Sequence, residues 1–153
     1  RELTDYGLLM SIERYAFGEI RGGESFPLFK GALSGNVTYT TTHSDSARNV
    51  IDMLMINMKL SGTDLDSDTL KDILFKSINI IVYLDSFVVT EVVEVVYESE
   101  EKFNDLWKFD ISKRESTFIE GAHRKVGKIK SEEMLRKLKI AGSLNKERML
   151  LDA

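Results

Sequence analysis

Residues 15–26 read YAFGEIRGGESF. A short apolar run stops at glycine, an acid follows, and an arginine stands just before two more glycines. Residues 14–17 therefore predict a short buried strand that ends at Gly18, and Arg21-Gly22-Gly23 predicts a turn. A strand end of this kind delivers Glu19 and Arg21 to the rim of a sheet, where side chains are free to meet a ligand.

The chain on either side has the same texture. Residues 3–11 predict a helix. Residues 24–33 predict another, with Pro27, the only proline, tolerated in its first turn. Ser34-Gly35-Asn36 supplies a helix stop. Residues 37–42, VTYTTT, predict a strand, and His43-Ser44-Asp45-Ser46 offers N-cap residues to a helix over 47–60. That helix carries Val50, Ile51, Leu54, Met55 and Met58 on one face, a pattern that reads as core.

Asp66 or Ser67 caps a helix over 68–77 with Leu70, Ile73 and Leu74 inward. Residues 79–84 form a nearly continuous apolar run, which predicts a strand buried on both faces. A two-residue turn at Asp85-Ser86 then leads to a β-branched strand over 87–97. Strands over 103–110 and 116–120 complete a meander around a turn at 112–115. Residues 121–130 read as irregular and basic. Ser131 opens a helix that Gly142 stops, and residues 145–151 predict a last short one. Strands alternating with helices predict an α/β fold: a mostly parallel sheet with flanking helices, an antiparallel meander and a short C-terminal helical tail.

The chain has 153 residues, a net charge of −4, two histidines and no cysteine. This length suffices for one domain with a core. The absence of cysteine removes disulfides and thiolate metal sites, and two histidines do not make a multi-histidine centre. No apolar stretch approaches the ~20 residues of a membrane span. Residues 121–150 carry nine Lys/Arg against three Glu, whereas the first 120 residues sum to −9. The chain thus divides into an acidic body, 1–120, and a basic helical tail, 121–153. Such a tail serves as a partner surface, docks on the body, or is a solvated helix face. It lacks the interleaved aromatics of a single-strand nucleic-acid groove.

In mostly parallel sheets, ligands gather at the carboxyl ends of strands. Two such ends carry suitable groups, Glu19 after the first strand and His43 after the second. A carboxylate held there orients or deprotonates water, an effect worth about 10²–10⁴-fold in rate. A histidine beside it donates to a phosphate oxygen, and Arg21 neutralises phosphate charge with a planar fork. The plainer alternative is a surface ion pair of Glu19 with Arg21 or Arg14, and a His43 that only precedes a helix.

The residues also occur in a familiar order. FGEIRGGES, ALSGN and TTTHSDS together resemble the ATPase superfamily of type II and type IV secretion, which includes pilus-assembly, tight-adherence and conjugation traffic ATPases. Gly18, Glu19, Ile20, Arg21, Gly22 and Glu24 match its Walker B pattern G-E-[I/V]-R-[G/D]-x-E, and Thr41, Thr42 and His43 match its histidine box, T-x-H. INIIVYL, VVTEVVEV and the closing FIEGAHRKVGKIKSEEMLRKLKIAG resemble the tight-adherence and conjugation branch. Asn36 stands where the family's T-G-H has histidine, and Leu8-Leu9 and Ile12-Glu13 replace its L-R and P-D.

The resemblance implies a RecA-like partial domain, the C-terminal half of a motor. Glu19 and His43 would be catalytic, with Glu19 reaching Mg²⁺ through water and His43 sensing the γ-phosphate. Arg21, Glu24 and Thr42 would belong to the nucleotide site or to an intersubunit contact. No G-x-x-x-x-G-K-[ST] loop occurs in the 153 residues, and the chain opens with Arg rather than Met. The expectation is therefore a piece of a longer enzyme that uses ATP and Mg²⁺ only when intact. Its partners would be its own N-terminal half, neighbouring subunits of a homohexamer, and inner-membrane secretion or pilus components. No direct nucleic acid is expected, and the location would be the cytoplasmic face of the cell membrane. A non-catalytic interaction module of a secretion machine is the alternative.

Overall fold

The computed structural model describes residues 12, 14–22, 25–60, 62–116 and 118–140. The helices expected over 3–11 and 145–151, the stop at Gly142 and the side chain of Glu24 lie outside them. The order is β1 (Arg14–Glu19), α1 (Ser25–Leu33), β2 (Val37–Thr41), α2 (Val50–Leu60), α3 (Ser67–Ser77), β3 (Ile80–Asp85), β4 (Val88–Val95), β5 (Phe103–Glu115), β6 (Phe118–Lys125) and α4 (Glu132–Ile140). The chain is mixed α/β. β1 and β2 form a parallel pair, and β3-β4-β5-β6 form an antiparallel sheet in chain order. No described helix is long and apolar enough to cross a membrane.

The three helices after β1 build the core. Leu28 and Phe29 of α1, Val50, Ile51, Leu54 and Met58 of α2, and Leu70 and Leu74 of α3 bury together around Ile20, with Met55, Ile73, Ile81 and Phe103 packed against them. The apolar stripe read along residues 50–58 is thus core. α3 starts where the sequence indicates: the Asp66 carboxylate accepts from the Thr69 amide, satisfying one of the amides that a helix start leaves unpaired. α2 begins three residues later than expected. Ser46 Oγ accepts from the Asn49 amide and Asp45 from the Asn49 side chain, so these capping groups stabilise a turn over 47–49 first.

Among the described residues, parallel pairing is confined to β1 and β2, and the mostly parallel sheet expected from the alternation is not what forms. β3 leads into β4 through Ser86-Phe87, a connection too short for anything but an antiparallel hairpin. Nor is β3 buried on both faces. Its alternate residues Ile80, Val82 and Leu84 are 38%, 49% and 54% exposed, while Ile81 between them meets the core. The apolar run concealed a one-sided strand.

The turn expected at 112–115 lies inside β5, and β6 runs on to Lys125 through residues expected to be irregular. A register shift between Ile111 and Lys113 absorbs the irregular pattern, and the Ser112 hydroxyl donates to the Glu120 carbonyl across it. Beyond this bulge most of the hairpin's described residues are exposed, with Ile119 the buried exception, so little apolar alternation marks it as strand. β6 also crosses from residue 120 to 121, where the basic segment begins. Its exit is tight: a Cβ on Gly127 would stand 2.1 Å from the Asp105 carbonyl oxygen, which only glycine avoids.

Candidate functional site

The parallel pair places the predicted residues. β1 and β2 align Arg14 with Val37 and Glu19 with Thr41, with a shift between Ala16 and Glu19. The strands therefore end side by side, and the residues just past them are stitched together. The Ile20 amide donates to the Thr41 carbonyl at 2.8 Å, Thr41 Oγ1 to the Gly18 carbonyl, and Thr42 Oγ1 to the Ile20 carbonyl at 3.2 Å. Ile20 is 1% exposed and plugs this corner into the helical core. Thr41 and Thr42 thus serve as cross-strand fasteners, and Thr42 has a structural task that holds both strand ends.

Glu19 sits at the centre of what they hold. Its Oε2 lies 2.7 Å from Arg21 Nη2, and its Oε1 lies 3.1 Å from His43 Nε2. The carboxylate is partly shielded, with 27% of its side chain exposed, whereas the imidazole is 91% exposed. The structure brings Glu19, Arg21, Thr42 and His43 together; Glu24 lies outside the described residues. The plainer alternative is part of the same picture, since Glu19 does pair with Arg21, and the pair leaves the imidazole open to solvent.

The hydrogen bond from Arg21 holds the Glu19 carboxyl below its usual range; slight burial opposes this, and the charges of Arg21 and His43 reinforce it. A carboxylate so held is a weak proton acceptor at neutral pH. Its suited task is to fix the orientation of a water molecule, with Arg21 and His43 as donors to an anion alongside.

Among the described residues, no group of three or more acidic or histidine side chains is arranged to hold a metal ion. The donor set therefore does not fit a Mg²⁺ bound by protein alone. One carboxylate fits a water-mediated contact to a cation that arrives on nucleotide phosphates.

Two further clusters escaped the sequence reading. Arg48, in the turn before α2, donates to Asp105 at 2.7 Å and lies 3.4 Å from Glu91. It lines a surface depression with Phe103, Lys108, Arg124 and Lys130, on the antiparallel sheet rather than beside Glu19. Its spacing from its acids, 43 and 57 residues, left no local signal. Glu94 of β4 is fully buried. It accepts from Asn104 Nδ2 at 2.7 Å and from the amides of Lys130 and Ser131, each at 2.9 Å. Glu94 was visible within VVTEVVEV as an acid amid valines; nothing local indicated that its partners lie 36 and 37 residues on.

A scan of protein-family models finds no match to the chain, and a search of curated proteins finds none either.

Proposed function

We propose that this chain is the Walker B and histidine-box half of a RecA-like traffic ATPase motor of the type II and type IV secretion superfamily. The observation that carries this reading is the 3.1 Å approach of His43 to Glu19 at the carboxyl ends of two adjacent parallel strands. Ligands of open α/β sheets collect at that position. Glu19 orients the water that attacks the γ-phosphorus, His43 contacts the γ-phosphate, and Arg21 steadies the carboxylate and offers a cation to phosphate charge. ATP and Mg²⁺ are brought by a phosphate loop on the remainder of the motor domain, because these residues do not cradle a triphosphate themselves. The work is done as a ring of subunits at the cytoplasmic face of the membrane, against inner-membrane pilus or secretion components.

The test is Mg-ATPase turnover of the protein encoded by the whole reading frame. Glu19→Gln abolishes turnover while a fluorescent ATP analogue still binds, and His43→Ala lowers turnover less. Undiminished turnover in the Glu19→Gln protein removes Glu19 from the mechanism. The 153-residue chain alone binds Mg-ATP no tighter than millimolar by calorimetry; micromolar binding overturns the division of labour.

The second reading, a non-catalytic interaction module, draws on the missing phosphate loop in these 153 residues. An upstream coding sequence without such a loop decides for it.

A further inference from the structure

His43 is aimed by its backbone. Its side chain is 91% exposed, and its polar contact among the described residues is the 3.1 Å approach to Glu19. A ring so open is not oriented by packing around it. The backbone that carries it, residues 42–49, runs from the end of β2 to the start of α2. Thr42 ties one end to the Ile20 carbonyl. Ser44 Oγ donates to the Ser46 carbonyl at 2.9 Å, and Asp45 and Ser46 accept from Asn49. These last bonds shape the loop from within and fasten it to no strand. Ala47 is buried, and its methyl group anchors the loop without orienting it.

Two contacts to the antiparallel sheet supply the orientation. Alternation along β3 puts Tyr83 on the same face as Ile81, which packs on the helical core. From there its hydroxyl donates to the Asp45 carbonyl at 2.8 Å. Glu91 of β4 lies opposite Tyr83, and Arg48 reaches the same patch. Its guanidinium stands 3.4 Å from Glu91, donates to Asp105 at 2.7 Å, and lies 5.9 Å from the centre of the Phe103 ring. The loop is thus held at Asp45 through its main chain and at Arg48 through a charged fork.

We propose that Tyr83 and Arg48 are positioning residues that set where the His43 imidazole meets the Glu19 carboxylate. What His43 then does to a nucleotide rests on the ATPase reading; its placement by these two side chains does not. A 3.1 Å contact lies toward the long end of the hydrogen-bond range, so a backbone shift of about 1 Å at residue 43 breaks it. Misplacement on that scale costs about a hundredfold in rate when the group takes part in the chemistry. Tyr83 and Arg48 therefore act on the site without touching a ligand, one through the main chain and one through an ion pair.

The first arm of the test needs no nucleotide. It is heteronuclear NMR of the 153-residue chain with ring-labelled histidine. Glu19→Gln moves the His43 signals, whereas those of His123, whose Nε2 lies 2.9 Å from the Val89 carbonyl on the antiparallel sheet, stay in place. The His43 response shrinks in Tyr83→Phe, which removes a single oxygen, and is lost when Arg48→Met is added. A His43 response of wild-type size in these variants overturns the proposal, as does a wild-type chain whose His43 signals ignore Glu19→Gln. If the double variant fails to fold, Tyr83→Phe alone decides. The second arm is Mg-ATPase turnover of the protein encoded by the whole reading frame. Tyr83→Phe lowers kcat about threefold and Arg48→Met about tenfold, with KM for ATP unchanged, because orientation is lost and binding is not. In a His43→Ala background neither change lowers kcat further, as expected of residues that act through one another. Equal losses in both backgrounds, or a rise in KM alone, make the two residues merely structural and overturn the proposal. Full turnover after Glu19→Gln overturns the ATPase reading instead, and the ring signals then decide the positioning.

Discussion

Replacing Glu94 with alanine unseats α4 while leaving the helical core in place. The side chain is fully buried and accepts three hydrogen bonds, at 2.7, 2.9 and 2.9 Å. All three partners are N–H donors, which suits a group whose oxygens only accept. Bonds to a charged acceptor contribute about 1.5–3 kcal/mol each, so their gross loss is about 4.5–9 kcal/mol. Two effects offset part of it. Asn104 Nδ2 keeps its 2.7 Å bond to the Lys128 carbonyl, and the partly buried amides of Lys130 and Ser131 reach water once the segment lets go. The net cost is about 3 kcal/mol, in keeping with about 1–3 kcal/mol for each buried donor left without its acceptor. Glu94→Gln keeps the volume but turns an amide N–H₂ toward N–H donors, and costs about 2 kcal/mol.

Urea unfolding followed by Trp107 fluorescence and far-UV dichroism measures the global term. Hydrogen exchange measures the local one, with protection lost first at residues 130–135. An alanine variant within about 1 kcal/mol of wild type, with the Ser131 amide still protected, refutes the reasoning that the carboxylate anchors α4.

Two other predictions concern stability. Ser86 and Phe87 turn the β3–β4 hairpin with φ of 50° and 63°, and Phe87 is fully exposed. The left-handed region costs an L-residue about 1–2 kcal/mol, so replacing the pair with Asn-Gly, the favoured two-residue turn, stabilises the chain by about 1 kcal/mol in urea; a neutral or destabilised variant contradicts this. Hydrogen bonds from Arg114 and Arg124 hold the carboxyls of Asp85 and Asp110 below the ordinary aspartate value of 3.8. Burial pushes Asp105 up, but Lys108 and Arg48 together hold it down. Depressed folded values mean stability that is fully present above the unfolded pKa and lost as pH falls through the folded one. The urea midpoint therefore stays level with respect to these groups from about pH 8 to 5 and drops below about pH 4. Asp105→Asn flattens that drop, and an unchanged acid limb in this variant removes Asp105 from the account.

Local chemistry made the described helices and the places of the first two strands legible, although β1, expected to be buried, buries only Tyr15. The Asp66 cap and the stripe of Val50, Ile51, Leu54 and Met58 depend on neighbours within a turn or two, and both appear in place. The approach of Glu19 and His43 followed from one long-range assumption, that β1 and β2 are parallel neighbours. The antiparallel sheet was harder to read. An apolar strand looks the same in sequence whether a second layer covers it or not, so Ile80, Val82 and Leu84 suggested burial that the fold does not provide. The polar residues of 112–115 suggested a turn because that stretch of β5 is exposed and only Ile119 on the opposite strand is buried. The partners of Glu94 and Arg48 were illegible because pairing over tens of residues is decided by topology, not by spacing.

The segment that bears His43 is riveted to the far sheet at two points. The Tyr83 hydroxyl of β3 donates to the Asp45 carbonyl at 2.8 Å, and Arg48 grips Asp105 of β5 with Glu91 of β4 close by. The short span from 43 to 48 is therefore a tie-rod between the imidazole and three strands. Any displacement of the imidazole's backbone loads that sheet directly, without passing through the helices that separate the two in sequence.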